Sequence, residues 1–138
     1  MDIDARGPRF GAAVTTVVLA VVLITGSAWL LAWQTLAFAL GAAGGVARSP
    51  YGLLFRAVVR PRLGPPTAFE SPEPPRFAQA VGLVFAGVGL VGLWAGPAWL
   101  GLAATGAALA AAFLNAAFGY CLGCEAYLLL RRVTVPAE

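Results

Sequence analysis

Charged side chains are scarce in this chain of 138 residues: they make up 11 % of it, against roughly 25 % in an average soluble domain. Apolar residues make up 60 %, and the mean hydropathy is +0.84. This composition excludes a soluble globular protein. The abundant aromatic residues and the long Val, Leu and Ala runs exclude a disordered chain. We therefore expect a single membrane domain over residues 1–138.

Lysine and histidine are absent, and all nine cationic residues are Arg. The charges lie before residue 10, between residues 48 and 76, and after residue 124, which leaves the stretches 10–47 and 77–124 uncharged. One helix over the first stretch would be about 57 Å long, nearly twice the roughly 30 Å hydrocarbon core. We therefore expect each stretch to form a helical hairpin, with turns at 25–27 and 95–98.

The predicted architecture is all-α, with four transmembrane helices as two hairpins, near 10–26, 28–47, 77–95 and 97–119. The hairpin tips carry no charge, so the positive-inside rule places both termini in the cytoplasm and the protein in the inner membrane. The four Trp residues flank the predicted tips and the three Tyr residues fall at the other membrane face, as in interfacial belts. A cleaved signal peptide is the competing interpretation of the N-terminus, but another apolar helix follows at once.

The segment 48–76 is predicted to be a cytoplasmic connector. Residues 51–60 are apolar on one side, with Arg56 and Arg60 one turn apart, which suits a short interfacial amphipathic helix. Prolines from Pro61 to Pro75 then predict an extended chain. Residues 120–138 are predicted to form a C-terminal interfacial segment.

No Asp, Glu, His, Lys or Arg lies within a predicted span, which disfavours proton relays and ion pumps. The Arg residues of the connector are expected to hold anionic headgroups or an anionic solute. A nucleic-acid partner is not expected, because the chain offers no soluble basic fold. The bilayer itself is the first expected partner.

Both cysteines lie in one motif, Cys121-Leu-Gly-Cys124, at the end of the last predicted helix. Residues three apart on a regular helix hold their β-carbons about 5–6 Å apart, whereas a disulfide needs roughly 3.5–4.5 Å. Closing the pair therefore requires a distortion, which Gly119 and Gly123 make easy. If the chain breaks at Gly119 and a new helix starts at the motif, Cys121 lies at a helix N-terminus, where the thiolate is favoured.

Three functions remain open for this pair. In a thiol-redox or sulfur-relay protein, Cys121 would be the attacking thiolate and Cys124 the resolving thiol. A metal site needs four ligands, so a homodimer would have to build a Cys₄ site. In a membrane scaffold or assembly subunit, the cysteines would be small interfacial residues. The cytoplasmic placement predicts that the pair rests reduced.

Five segments of the chain resemble a known bacterial family. They are Ile3-Asp-Ala-Arg6-Gly-Pro-Arg9-Phe, Arg48-Ser-Pro-Tyr51-Gly with Arg60-Pro-Arg-Leu-Gly-Pro-Pro66, Pro75-Arg76-Phe-Ala-Gln79, and Gly119-Tyr-Cys121-Leu-Gly-Cys124-Glu-Ala-Tyr127. Together they resemble the integral membrane proteins of domain of unknown function 4395, many of them actinobacterial. The resemblance covers nearly the whole chain, and its most specific piece is the cysteine motif.

The resemblance implies a small multi-helix inner-membrane protein. Members of that family are often encoded near thioredoxin-like and sulfurtransferase proteins, which implies sulfur or thiol chemistry with such a partner. The sequence leaves the cofactor unknown and assigns no metal ligand.

The motif and the resemblance together give one site hypothesis. Cys121 and Cys124 are the expected catalytic residues, and guanidinium groups around them are expected to attract an anionic sulfur species or the acidic rim of a partner. The residues expected to bind the substrate or partner are Arg6, Arg9, Arg48, Arg60, Arg76, Tyr120 and Glu125.

Overall fold

The computed structural model describes residues 2–134 and is predominantly helical. Three of its helices are long and apolar enough to cross a membrane: α1 (Arg6–Thr25), α5 (Glu73–Ala95) and α6 (Ala98–Phe118). The helix α2 (Ala28–Gly44) is apolar but has only 17 residues. At about 1.5 Å per residue it is about 26 Å long, a little less than the roughly 30 Å hydrocarbon core. The chain is thus an all-α protein with three candidate membrane spans, where the sequence predicted four.

The two predicted turns lie where α1 meets α2 and where α5 meets α6. Gly26 ends α1 in the left-handed region at φ 68°, which glycine adopts without steric cost. The Ser27 side chain then caps α2 by accepting a hydrogen bond from the Leu30 N–H over 3.2 Å. In the second turn, Pro97 immediately precedes α6.

Two helices begin earlier than predicted. The helix α1 begins at Arg6 instead of near residue 10, and α5 begins at Glu73 instead of near residue 77. Pro74 and Pro75 lie in the first turn of α5, where the missing N–H would have no helical partner in any case. Prolines therefore start this helix, although the sequence analysis expected them to prevent regular structure.

The connector is more helical than predicted. It contains α3 (Pro50–Leu54), a π-helical turn (Phe55–Val59) and α4 (Arg60–Leu63), so the helix continues past Pro61. The Ser49 side chain caps α3 by accepting from the Gly52 N–H over 3.1 Å. Beyond α4, the strand β2 (Phe69–Glu70) pairs antiparallel with β1 (Ile3–Asp4), so the N-terminus lies against the connector.

Helix packing depends on small residues. The helix α5 packs against α2 and α6, and α6 packs against α1. A β-carbon added to Gly92 would collide with the backbone of Gly101, so the backbones of α5 and α6 touch at this crossing. A core cluster lies between the four long helices. Its fully buried members include Leu19, Leu31 and Ala86.

The aromatic belts do not separate as predicted. The Trp33 indole N–H donates to the Tyr51 hydroxyl over 3.0 Å, although these residues were assigned to opposite membrane faces. The same hydroxyl donates to Gln34 over 2.6 Å, and the Gln34 amide donates to Thr15 over 3.3 Å. Tyr51 therefore reaches from α3 into the bundle, because Gln34 and Thr15 are buried polar groups that need partners. Trp29 and Trp94, near the two turns, do lie together, with ring centroids 5.6 Å apart.

Candidate functional site: a cysteine pair at the start of the last helix

The chain breaks between α6 and the cysteine motif. Gly119 has φ 70° and donates its N–H to the Asn115 carbonyl over 2.9 Å, which ends α6. A new helix, α7 (Leu122–Thr134), begins one residue after Cys121. The structure thus has the break at Gly119 that places Cys121 at a helix N-terminus.

Cys121 occupies the N-cap position of α7. Its sulfur accepts the backbone N–H of Cys124 at 3.1 Å, as a serine or aspartate oxygen does at other helix starts. Its carbonyl accepts the N–H of Glu125 over 3.0 Å, which closes the first turn. The N-terminal end of α7 therefore directs an N–H group at the Cys121 sulfur, where negative charge is favoured.

The two cysteines form a disulfide, with their sulfurs 2.11 Å apart. This differs from the reduced pair expected from a cytoplasmic location. The local reason is that the break at Gly119 removes Cys121 from a regular helix. The Cα atoms then lie 5.1 Å apart, inside the roughly 4.4–6.8 Å range that a disulfide spans. Both cysteines are only partly buried, so the bond lies near the surface.

The helix α7 is held against the start of α5. The Tyr127 hydroxyl donates to Glu73 over 2.6 Å, and Arg131 forms an ion pair with the same carboxylate at 3.5 Å. The rings of Tyr127 and Phe77 are 5.6 Å apart. The ion pair is exposed and adds little by itself, so the ring contact and the tyrosine hydrogen bond carry most of this attachment.

Two of the predicted site arginines hold helix ends. Arg9 donates to the Ala116 and Ala117 carbonyls at 3.2 and 3.3 Å, in the last turn of α6 before the cysteine motif. Arg76 donates to the Ala42 and Ala43 carbonyls at 2.6 and 2.7 Å, in the last turn of α2. A cation at a helix C-terminus satisfies free carbonyls and stabilises the helix dipole.

Two other predicted site arginines surround Asp4. Arg6 forms an ion pair with this carboxylate at 2.9 Å, and Arg60 approaches it to 3.8 Å. The hydrogen bond from the Arg6 side chain lowers the pKa of Asp4 below its ordinary value, against the opposing effect of burial. Arg6 also donates to the Gly64 carbonyl over 3.1 Å. These contacts fasten the N-terminus to the connector.

The remaining predicted residues are placed separately. Arg48 lies in the 3₁₀ turn after α2, where its side chain runs beside Gly44. Tyr120 and Glu125 are exposed on either side of the cysteine pair. Of the five predicted arginines, Arg9 is the one with a contact beside the motif: its guanidinium carbon would lie 3.8 Å from a β-carbon on Gly119.

The charged residues converge on one end of the bundle. Arg9 joins the start of α1 to the end of α6, and Arg76 joins the start of α5 to the end of α2. Tyr127 adds α7 to the same end. Among residues 2–134, no three Cys, Asp or Glu side chains lie close enough together to hold a metal ion.

A cavity of about 420 Å³, which the sequence did not predict, adjoins the pair. It lies between α5 and α6 under the first turn of α7, and Cys121 forms part of its wall. The space exists because α6 presents alanines there, among them Ala107, Ala108 and Ala111. These alanines are present in the sequence, but which face of α6 forms a cavity wall depends on how α5 and α7 pack.

The fold and the site define a helical protein of membrane character that carries a partly buried disulfide at one end of its bundle. The chain belongs to the family described as domain of unknown function (DUF4395), whose profile matches residues 3–132. No curated protein and no solved structure shows significant similarity to it. The family expected from the sequence motifs is therefore confirmed.

Proposed function

We propose that this protein is a membrane-embedded thiol–disulfide exchange or sulfur-relay component. The observation that carries the proposal is the hydrogen bond from the Cys124 N–H to the Cys121 sulfur at the start of α7. The same N–H group stabilises the Cys121 thiolate once the disulfide is reduced, so Cys121 is the leaving group and the attacking thiol of the pair. Cys124 is the resolving thiol.

Thiol–disulfide exchange needs no reactant other than this protein and its partner. A thiolate of a partner dithiol attacks the Cys121 sulfur, forms a mixed disulfide with it and releases Cys124 as a thiolate. The second partner thiol then attacks the partner's sulfur in the mixed disulfide and releases the Cys121 thiolate. The partner ends as a disulfide and Cys121 and Cys124 end as thiols, with two electrons transferred. In a sulfur relay, the Cys121 thiolate of the reduced pair instead attacks the outer sulfur of a cysteine persulfide on the partner. Cys121 becomes a persulfide, and the partner's cysteine leaves as a thiolate.

The proposed membrane arrangement has four spans, with α2 as the shortest. The uncharged turns at 26–27 and 96–97 lie on one face, and the arginine-rich end with the disulfide lies on the cytoplasmic face of the inner membrane. The support is the convergence of the Arg9 and Arg76 contacts on one bundle end. The helical connector 50–63 lies in the headgroup region on this face, with Leu53, Leu54 and Val58 exposed.

The proposed partner is a soluble thioredoxin-like or sulfurtransferase protein. Tyr120 and Glu125 flank the pair and are exposed, so they form the surface that such a partner would touch first. The Arg9 guanidinium lies beside Gly119, just before the motif, and supplies positive charge for an acidic rim or an anionic sulfur species. Arg6, Arg48, Arg60 and Arg76 extend the positive field over the same bundle end.

The test uses single-cysteine variants in lipid nanodiscs with glutathione disulfide as the probe. Cys124→Ser keeps Cys121 at the helix N-terminus, and we expect it to form a mixed disulfide at least about tenfold faster than Cys121→Ser, measured by mass spectrometry. Equal rates for the two variants would contradict the assigned roles. A double Cys→Ser variant that supports full function in cells would instead establish the scaffold alternative.

Two further measurements separate the remaining alternatives. An impermeant maleimide should label the reduced pair in inverted membrane vesicles and leave it unlabelled in intact cells, where the periplasmic face is exposed. Labelling in intact cells would overturn the proposed orientation. Zinc bound at half a mole per chain in the reduced protein would support the dimeric Cys₄ site instead.

A further inference from the structure

The cavity beside Cys121 has an almost entirely apolar wall. Its lining comes from α2, α5, α6 and the first turn of α7, and it contains no charged side chain. Polar side-chain chemistry on the wall comes from two groups, the Cys121 sulfur and the Asn115 carboxamide. A charged or phosphorylated ligand would lose its hydration there without compensation, so the wall selects an apolar ligand with few polar atoms.

The cavity opens toward the side of the helix bundle. Phe85 on α5 lines it and is 40 % exposed, and Leu122 on α7 lines it and is 42 % exposed. These side chains belong to the outer surface of a chain whose long helices are apolar enough for the bilayer. A ligand dissolved in the lipid therefore reaches Cys121 through the bilayer, whereas a soluble partner reaches the pair from the exposed side of the motif.

Asn115 can orient a polar ligand atom. It lies in the last turn of α6, and its backbone carbonyl accepts the Gly119 N–H. Its carboxamide forms no hydrogen bond with another group of residues 2–134, and because Asn115 lines the cavity, its two N–H donors are available to a ligand there. A ring carbonyl is the ligand group that such a donor suits, and an acyl chain has none.

We propose that this cavity binds a membrane quinone, which accepts electrons from the Cys121–Cys124 pair. This inference rests on the proposed thiol–disulfide function and names its membrane-side substrate class. The two thiols lose two electrons and two protons and the S–S bond forms. The quinone gains both and leaves as the quinol. The ring lies against the Cys121 sulfur with one carbonyl at Asn115, and the isoprenoid tail leaves between α5 and α6.

The experiment measures anaerobic oxidation of the reduced protein by decylubiquinone in nanodiscs, from thiol loss and from the quinone absorbance. We expect one quinone to be consumed per chain and two thiols to be lost. Ala111→Leu, which fills the cavity, should lower the second-order rate at least about tenfold, as a misplaced side chain does in a fitted apolar pocket. Its matched control is Ala110→Leu, on an exposed position of the same helix, which should leave the rate unchanged.

A second variant tests the ligand orientation. Asn115→Leu should raise the quinone concentration needed for half-maximal rate and leave the reaction with glutathione disulfide unchanged, because the carboxamide forms no hydrogen bond with Cys121 or Cys124. Equal quinone rates for Ala111→Leu and Ala110→Leu would overturn the cavity assignment. If quinone binds and no thiols are lost, the cavity is only an acyl-chain site. That result would also overturn the proposed electron transfer from the cysteine pair to the quinone.

The two proposals fail in different ways. If the wild-type pair exchanges with glutathione disulfide and does not react with decylubiquinone, the quinone inference is wrong and the exchange function stands. If the pair reacts with neither probe, the exchange function is wrong as well.

Discussion

Gly123 of α7 lies directly on Ala78 of α5: a β-carbon added to Gly123 would be 2.5 Å from the Ala78 β-carbon. This is much closer than two such atoms can approach. The glycine between the two cysteines is therefore what lets α7 dock on α5 and lets the motif reach the cavity. No larger residue can occupy this position without moving the helix.

Replacing Gly123 by Ala should displace α7. The added methyl group must push the first turn of α7 away from Ala78, which loosens the Tyr127–Glu73 hydrogen bond at the next turn. We expect faster reduction of the disulfide by dithiothreitol and faster backbone hydrogen exchange in α7. Gly87→Ala is the matched control, because a β-carbon at Gly87 meets no atom within 4 Å. Unchanged rates for Gly123→Ala would show that α7 is not held by this contact.

Replacing Arg9 by Gln should loosen the end of α6. The variant loses the charged donors to the Ala116 and Ala117 carbonyls, so the turn at Gly119 that positions Cys121 becomes less ordered. We expect the rate of thiol–disulfide exchange at the Cys121–Cys124 pair to change while the overall stability stays the same. Arg76→Gln removes the same kind of cap from α2 and should leave that rate unchanged. A common effect of both variants would point to general loss of stability.

Replacing Tyr51 by Phe should destabilise the bundle. The variant removes the hydroxyl that donates to Gln34, and Gln34 is 1 % exposed, so its carbonyl oxygen keeps no donor. A buried polar atom left without a partner costs about 1–3 kcal/mol. Denaturant unfolding in mild detergent measures this loss. Tyr120→Phe is the control, since that side chain is exposed, and it should unfold at the wild-type midpoint.

Stability at acid pH should depend on Asp4. Its pKa is lowered in the folded protein, chiefly by the hydrogen bond from Arg6, so its contribution is complete above the ordinary value and is lost as the pH falls through the lowered one. We expect Asp4→Asn to lower the melting temperature at neutral pH and to match the wild type at strongly acid pH. A difference that persists there would contradict this assignment.

Glu70, on the strand β2, should affect the pH dependence of stability in the opposite direction to Asp4. Burial raises its pKa, so the folded protein binds a proton at Glu70 more readily than the unfolded chain does. Its contribution therefore weakens as the pH rises through the ordinary and then the raised value. Glu70→Gln should raise the melting temperature at neutral pH, where Asp4→Asn lowers it. The two variants together separate specific titration from a general effect of charge removal.

The helices and turns could be predicted because membrane insertion constrains sequence strongly. A charge-free stretch of nearly forty residues must fold back, and Gly26 and Gly96 mark where it does. Helix ends were predicted less well. The start of α5 at Glu73 depends on prolines that fit the first turn of a helix as readily as they fit an extended chain.

The contacts around the site could not be predicted, because they join residues far apart in the chain. The reach of Tyr51 to Gln34 and Trp33 depends on the angle at which α3 leaves α2. The disulfide depends on whether Gly119 breaks the last helix, and the sequence allowed both forms. The reduced pair was inferred from location alone, which does not fix the local backbone.

The sequence by itself determined that this chain is a helical membrane-type protein with both thiols in one motif, because hydropathy and charge positions depend on residue order alone. Only the tertiary structure decided that Cys121 begins a new helix, that Arg9 and Arg76 hold helix ends, and that a cavity adjoins the pair. These features depend on how separate helices pack, and close packing is a property of three-dimensional contacts.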